Sequence, residues 1–188
     1  ICASAPMSPP ISLAGAWKIM QGDNPSFSRP DHVDSDWQTI EAPENLHQQQ
    51  SVRLGDTFWY RRWFYLPADS QTDFLALELG KIIGPDETYL NGQSIGAHGY
   101  SRFNEPYLGK TRIYPLPQNL LQPGHYNLIA VKVQSVTAET GGIHDGILQI
   151  GSYGTILNAM TRQEVPALVF CAVFLVIGFY CLYLFIRT

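Results

Sequence analysis

The uncharged run VPALVFCAVFLVIGFYCLYLFI at residues 165–186 leaves this chain the least freedom. At 1.5 Å of rise per residue, a helix over these ~22 residues is roughly 33 Å long, enough to cross a hydrocarbon core of about 30 Å. Its Val, Ile, Leu and Phe side chains together favour a bilayer by roughly 4 to 8 kcal/mol. A helix buried in a water-soluble protein rarely lacks polar residues over such a length. The run therefore predicts one transmembrane α-helix over 165–187, with the working part of the chain on its amino-terminal side.

The compartment follows from the first residues. Ala3-Ser4-Ala5 fits the small-x-small pattern of a signal peptidase site, with Pro6 as the first mature residue. Residues 1–5 then read as a signal-peptide remnant without its charged and apolar parts. Cys2 as a lipid-bearing residue is a weaker reading, because one residue precedes it; a tail of no consequence is the bland one. Arg187 after the run, and Arg162 and Glu164 before it, give too little charge asymmetry to set orientation. The remnant sets it instead, placing residues 6–164 in the periplasm or outside the cell and the helix in a bacterial cell membrane. Cysteine usage agrees with a head that needs no disulfide. Cys2, Cys171 and Cys181 all lie outside residues 6–152, and the last two are roughly 15 Å apart along one helix. Asn24-Pro25-Ser26 is spoiled as a glycosylation triplet by its proline.

Residues 6–152 are long enough to bury a core of their own. The formal net charge is -4 and no basic run exceeds Arg61-Arg62, which excludes nucleic acid as a partner class. Periodicity predicts many short strands. SLAGAWKIM at 12–20 puts Trp17 and Ile19 on one face, with Gly15 at the entry. Residues 21–35 and 44–56 are rich in loop formers. TFWYRRWFYLP at 57–67 is the strongest strand, with Tyr60, Arg62, Phe64 and Leu66 on one face and Trp59, Arg61, Trp63 and Tyr65 on the other. Two aromatic faces predict cover on both sides, and each arginine then needs a partner. Residues 74–79 alternate and are expected to end at Gly80. Residues 87–90 and 93–96 flank Asn91-Gly92, a hairpin signal because both residues tolerate positive φ. Residues 112–116, 126–134 and 147–151 complete the set. Short strands with almost no helix predict an all-β sandwich over 6–152. Residues 153–164 form a juxtamembrane connector, either a short helix carrying Ile156, Leu157 and Met160 or a flexible linker.

Several motifs together resemble a known module. They are Gly15-Ala16-Trp17, Asp36-Trp37 with Ala42-Pro43, Trp59-Tyr60-Arg61-Arg62 with Phe64 and Leu66-Pro67, Tyr89-Leu90-Asn91-Gly92 with Ile95-Gly96, and Gly142-Ile143. Their order is similar to the sugar-binding jelly-roll module of family-two glycoside hydrolases, such as β-galactosidases and β-glucuronidases. The resemblance implies a galactose-binding-like jelly-roll β-sandwich, here followed by the transmembrane helix. A second likeness concerns 178–187. It resembles the first membrane helix of bacterial receptors that join an extracytoplasmic jelly roll to seven helices and a cytoplasmic module, often a diguanylate cyclase, a histidine kinase or a phosphatase. That likeness implies a signal-transduction sensor whose output lies beyond Thr188.

Catalysis within the chain is not expected. Family-two hydrolases carry their carboxylates in a separate barrel of roughly 250 residues, for which there is no room. Asp86 and Glu87 would point to opposite faces of a strand and cannot flank one glycosidic bond; as turn residues they would bond the hairpin backbone. His98, His144 and Asp145 form no recognised catalytic or metal motif. His32, His47 and His125 sit in polar loops, where solvation is expected. No cofactor is indicated, and a structural calcium is left open.

A sugar needs aromatic rings for its apolar face and planar polar groups for its hydroxyls. The loop 97–109 supplies both through His98, Tyr100, Arg102, Asn104 and Tyr107. Arg62 and Glu87 join it if the sandwich brings their strands together; alternatively they pair structurally and the tyrosines fill the core edge. The expected partners are a small-molecule ligand, a carbohydrate by chemistry, and a membrane through one helix, with homodimerisation open. The competing reading is a periplasmic protein-interaction or dimerisation module without a small ligand, since the fold serves both uses.

Overall fold

The computed structural model describes residues 10–44, 46, 52–99, 111–136 and 141–187, and within the terminal helix it leaves the side chains of 162–172, 180–182, 184 and 186 undescribed. It divides into two compact units, Ile1–Tyr153 and Gly154–Thr188. Among the described residues, the first contains ten strands: β1 Ile11–Ser12, β2 Gly15–Gln21, β3 Gln38–Ala42, β4 Thr57–Leu66, β5 Leu75–Ile83, β6 Asp86–Leu90, β7 Gln93–His98, β8 Thr111–Pro115, β9 His125–Gln134 and β10 Gly142–Ser152. They form a four-stranded sheet in the order β1-β10-β5-β8 and a six-stranded sheet in the order β3-β2-β4-β9-β6-β7. Every pairing is antiparallel. The all-β expectation is met.

β4 and β9 make the longest ladder, from Thr57↔Gln134 to Leu66↔His125. Alternation sends Tyr60, Phe64 and Leu66 inward with Ile129, Val131 and Val133, where they meet Leu77, Leu79 and Ile150 of the other sheet. The outer face of β4 behaves differently along its length. Trp59 and Arg61 are sealed beneath the loop between β2 and β3, whereas Trp63 and Tyr65 are exposed. The cover expected on both faces is therefore present over half of the strand. A second cluster of Trp37, Trp59 and Ala130, with Phe27, Met20 and Tyr89 against it, fills the covered half. Arg61 secures that loop by donating to the Asp34 carboxylate and to the carbonyls of Phe27, Arg29 and His32. His32, expected to be solvated, packs on Phe27 and Trp37.

Some expectations are corrected. Gly80 does not end the second strand; β5 runs through it to Ile83. Its φ is +60°, and one extra residue of β5 between Glu78 and Lys81 makes a bulge against β8. A Cβ at Gly80 would strike the Asp145 carbonyl, so the bulge needs glycine. Asp86 and Glu87 are strand residues rather than turn residues, and Asp86 is fully buried. The Asn91-Gly92 hairpin forms as expected, both residues having positive φ.

α1 Tyr153–Arg187 is one helix of 35 residues, and all but its first residue belong to the second unit. Residues 153–164 are thus its first turns, not a flexible linker or a separate short helix. Among the described residues, no helix is long and apolar enough to cross a membrane. The transmembrane reading of 165–187 is accordingly not shown by them.

Candidate functional site

β7 and β8 are the edge strands of their respective sheets. They meet at one margin of the sandwich, and the loop of candidate residues joins His98 of β7 to Thr111 of β8. Tyr100, Arg102, Asn104 and Tyr107 lie outside the described residues. The base of the loop is described, and a buried polar bridge between the two sheets occupies it.

Asp86 is at an inward position of β6, where alternation aims its carboxylate across the core. Arg112 and Tyr114, two residues apart on β8, face it from the other sheet. Arg112 Nε donates to Asp86 Oδ1 at 2.6 Å, with both side chains buried. Its guanidinium also reaches the carbonyls of Ile82 and Gly84. The Tyr114 hydroxyl donates to Asp86 Oδ2 in a short bond. Burial first, and the adjoining Asp86 carboxylate second, push the Tyr114 phenol above its ordinary value. The Tyr114 hydroxyl has one proton, given to Asp86. The 3.1 Å bond between that oxygen and His98 Nδ1 therefore needs the imidazole to donate. His98 is exposed and packs edge-on against the Tyr114 ring at 5.6 Å. Gly96 of β7 lies beneath that ring, and a Cβ there would run into it.

Of the sequence-predicted residues, His98 is brought to this bridge. Arg62 and Glu87 are not brought to each other. Arg62 pairs with Ile129 and Glu87 with Lys132 on β9, three positions apart, so the pleat puts them on opposite faces. Arg62 bonds the Ala16 carbonyl instead. Sequence reasoning passed over Asp86, Arg112 and Tyr114 as site residues. The available signal was a charged residue at an inward strand position on each of two strands, since such charges need partners. His144 and Asp145 are elsewhere: Asp145 pairs with Lys81, which lowers its carboxyl below the ordinary value. Among the described residues, no group of three or more His, Cys, Asp and Glu could hold a metal ion.

The opposite end of the sandwich carries two grooves among the described residues. One, of about 370 Å³, lies among Pro10, Leu66, Pro67, Leu75 and Ile150. The other, of about 480 Å³, lies among Phe74, Leu75, Pro115, Gln118 and Tyr153. Both are mostly apolar and contain no candidate residue.

No family model matches the chain. A β-glucuronidase from Formosa agariphila is 24% identical over 135 residues, covering 63% of this chain and 13% of that protein. Among solved structures, the fold is similar to Bacteroides uniformis β-glucuronidase, with a TM-score of 0.61, 21% identity, and coverage of 76% of this chain and 18% of that one. A glycosyl hydrolase family 2 member from Bacteroides cellulosilyticus gives a TM-score of 0.60 at 20% identity, covering 76% and 20% of the two chains. Ruminococcus gnavus β-glucuronidase gives 0.61 at 17% identity, covering 80% and 30%. The likeness is one of fold. The chain spans less than a third of each of these proteins.

Proposed function

We propose that the chain is a carbohydrate-binding sandwich carried on a membrane helix, the extracytoplasmic ligand-sensing part of a bacterial signal-transduction receptor. The observation that carries the ligand reading is the Asp86–Arg112–Tyr114 bridge, which orients His98 at the root of the 97–109 loop. Burying an ion pair costs several kcal/mol of desolvation per charge. Here it fixes one imidazole N–H, which leaves the ring's second nitrogen for a hydroxyl. Tyr100, Arg102, Asn104 and Tyr107 then supply stacking and further hydroxyl contacts. Fold likeness to parts of carbohydrate-active enzymes supports a sugar as the ligand class.

The membrane reading is supported by the residues of α1. Val173, Phe174, Leu175, Val176, Ile177 and Phe179 are all exposed. Such a stretch covers every side of the helix, and a helix apolar all round is stable only when buried in protein or lipid. Within the first unit, Thr111 of β8, one root of the candidate loop, and Tyr153, where α1 begins, are at opposite ends of the smaller sheet. Signal output is assigned to a cytoplasmic module of the diguanylate cyclase kind.

The test is a thermal-shift screen of the full chain in a detergent without a sugar headgroup. Ligand at a hundred times its Kd adds about 2.7 kcal/mol, or roughly 5 to 10 °C for a domain of this size. Tyr100→Ala or Arg102→Ala should abolish the shift. The absence of any shift across a millimolar sugar library defeats the ligand reading. Release of the chain from membranes by alkaline carbonate defeats the membrane reading.

A further inference from the structure

We infer that the groove beside Phe74 is a further binding site, and that it takes a quaternary ammonium group. Phe74 has a φ of +56°, a region that a bulky side chain rarely enters, and it is 85% exposed. Three bonds hold its segment in place. Gln118 Nε2 donates to Thr72 Oγ1, the Tyr153 amide donates to the Phe74 carbonyl, and the Leu116 amide donates to the Leu75 carbonyl. Strain that the surroundings over-determine in this way is concentrated at functional sites. Phe74 contributes little to the core, so its conformation serves a contact outside the fold.

The neighbours of Phe74 determine the chemistry of that contact. Tyr153, 38% exposed, lines the same groove of about 480 Å³. Small-ligand sites span roughly 300–1,000 Å³. Among the described residues, neither ring packs against another aromatic ring. Asp73 lines the groove too, and among the described residues its exposed carboxylate has no hydrogen-bond or ion-pair partner. No lysine, arginine or histidine stands among the described lining residues. Two aromatic rings and an unpaired carboxylate attract a cation and disfavour an anion. The partial charge at the start of α1 is about half a unit and fades within one turn, so it is less than the full charge of Asp73. A primary ammonium brings three N–H groups that need acceptors. Here the Thr72 hydroxyl already accepts from Gln118, and Leu75 and Leu116 are apolar. A quaternary ammonium has no N–H to satisfy, and its methyl groups suit rings and leucines alike. None of these residues belongs to the 97–109 loop, so this site is independent of the sugar reading.

The test uses the full chain in a polyoxyethylene detergent, which carries neither a sugar nor an ammonium headgroup. The probes are tetramethylammonium and choline, with neohexyl alcohol, the uncharged carbon analogue of choline, as the control. Saturation-transfer proton NMR reads binding at the probe methyl groups. Both ammonium probes should bind, choline about tenfold more tightly than neohexyl alcohol. Phe74→Gly removes the ring and suits the positive φ, so the fold is kept while choline binding should weaken about tenfold. Phe74→Trp should retain binding. Asp73→Asn and Tyr153→Leu should each weaken it about fivefold. Tyr100→Ala and Arg102→Ala should leave it intact, whatever they do to a sugar response. The site is overturned if neither ammonium probe binds at high millimolar concentration, or if neohexyl alcohol binds as tightly as choline. It is also overturned if Phe74→Gly binds choline like the unaltered chain. Binding to phosphatidylcholine vesicles without binding to free choline overturns it as well, because that outcome marks a membrane surface and not a solute site.

Discussion

Arg61 Nε donates to Asp34 Oδ2 at 2.8 Å across 27 residues of chain, and the arginine is almost wholly sealed from water. A charge so placed holds down a loop that has little regular structure of its own. Arg61→Ala should destabilise the sandwich by about 3 to 5 kcal/mol, because it leaves Asp34 and three carbonyls without their donor. Asp34→Asn should cost only about 1 kcal/mol, since Asp34 is partly exposed and the carbonyls remain. Chemical denaturation of both variants checks the ranking. Equal losses would mean that the carbonyl contacts contribute little.

Asp86 and Arg112 predict a different pattern. Asp86→Ala strands a buried guanidinium and should cost about 3 to 5 kcal/mol. The double change Asp86→Leu with Arg112→Met should restore much of that stability, while any response to sugar at the 97–109 loop is lost with the orientation of His98. Thermal melts with and without ligand separate these outcomes.

Tyr60 and Tyr114 set the alkaline limit. Burial raises both phenols above the ordinary value of 10.0. In the unfolded chain they ionise near that value, so above it the unfolded state holds fewer protons. Stability is full below about pH 10 and falls above it, by about 1.4 kcal/mol per pH unit for each tyrosine. Absorbance titration should show these two of the 10 tyrosines ionising only as the protein unfolds. The double variant Tyr60→Phe with Tyr114→Phe should flatten the decline.

Asn91 should tolerate almost nothing. Its φ is +49°, and its side chain donates to Leu120 O and Asn127 Oδ1 while accepting from Leu128 N. Asn91→Ala loses these bonds and strains the turn, for about 2 to 4 kcal/mol. Asn91→Gly keeps the turn geometry and should lose less. Urea midpoints of the two variants decide whether the network or the backbone dominates.

What could be read in the chain followed from local rules. The alternation of β4, the Asn91-Gly92 hairpin and the all-β class each depend on neighbours in sequence. The misses depend on distant partners. Nothing near Gly80 shows that Asp145 will press on it from β10, so a bulge looked like a strand end. Asp86, Arg112 and Tyr114 meet only because β6 and β8 lie in different sheets. The aromatic face of β4 told that rings were plentiful, but only the 22–37 loop determined which would be covered.

The pairing of Ile11 with Ile150 has a consequence for how the protein is made. Among the described strands, the first has its ladder neighbour in the last, so the smaller sheet lacks this edge until β10 has been synthesised. Until then Leu13 must wait without the Leu148 carbonyl that its amide bonds in the finished molecule. Closure is thus timed to the arrival of β10, immediately before α1 emerges, and slow folding is the expected accompaniment of so distant a contact.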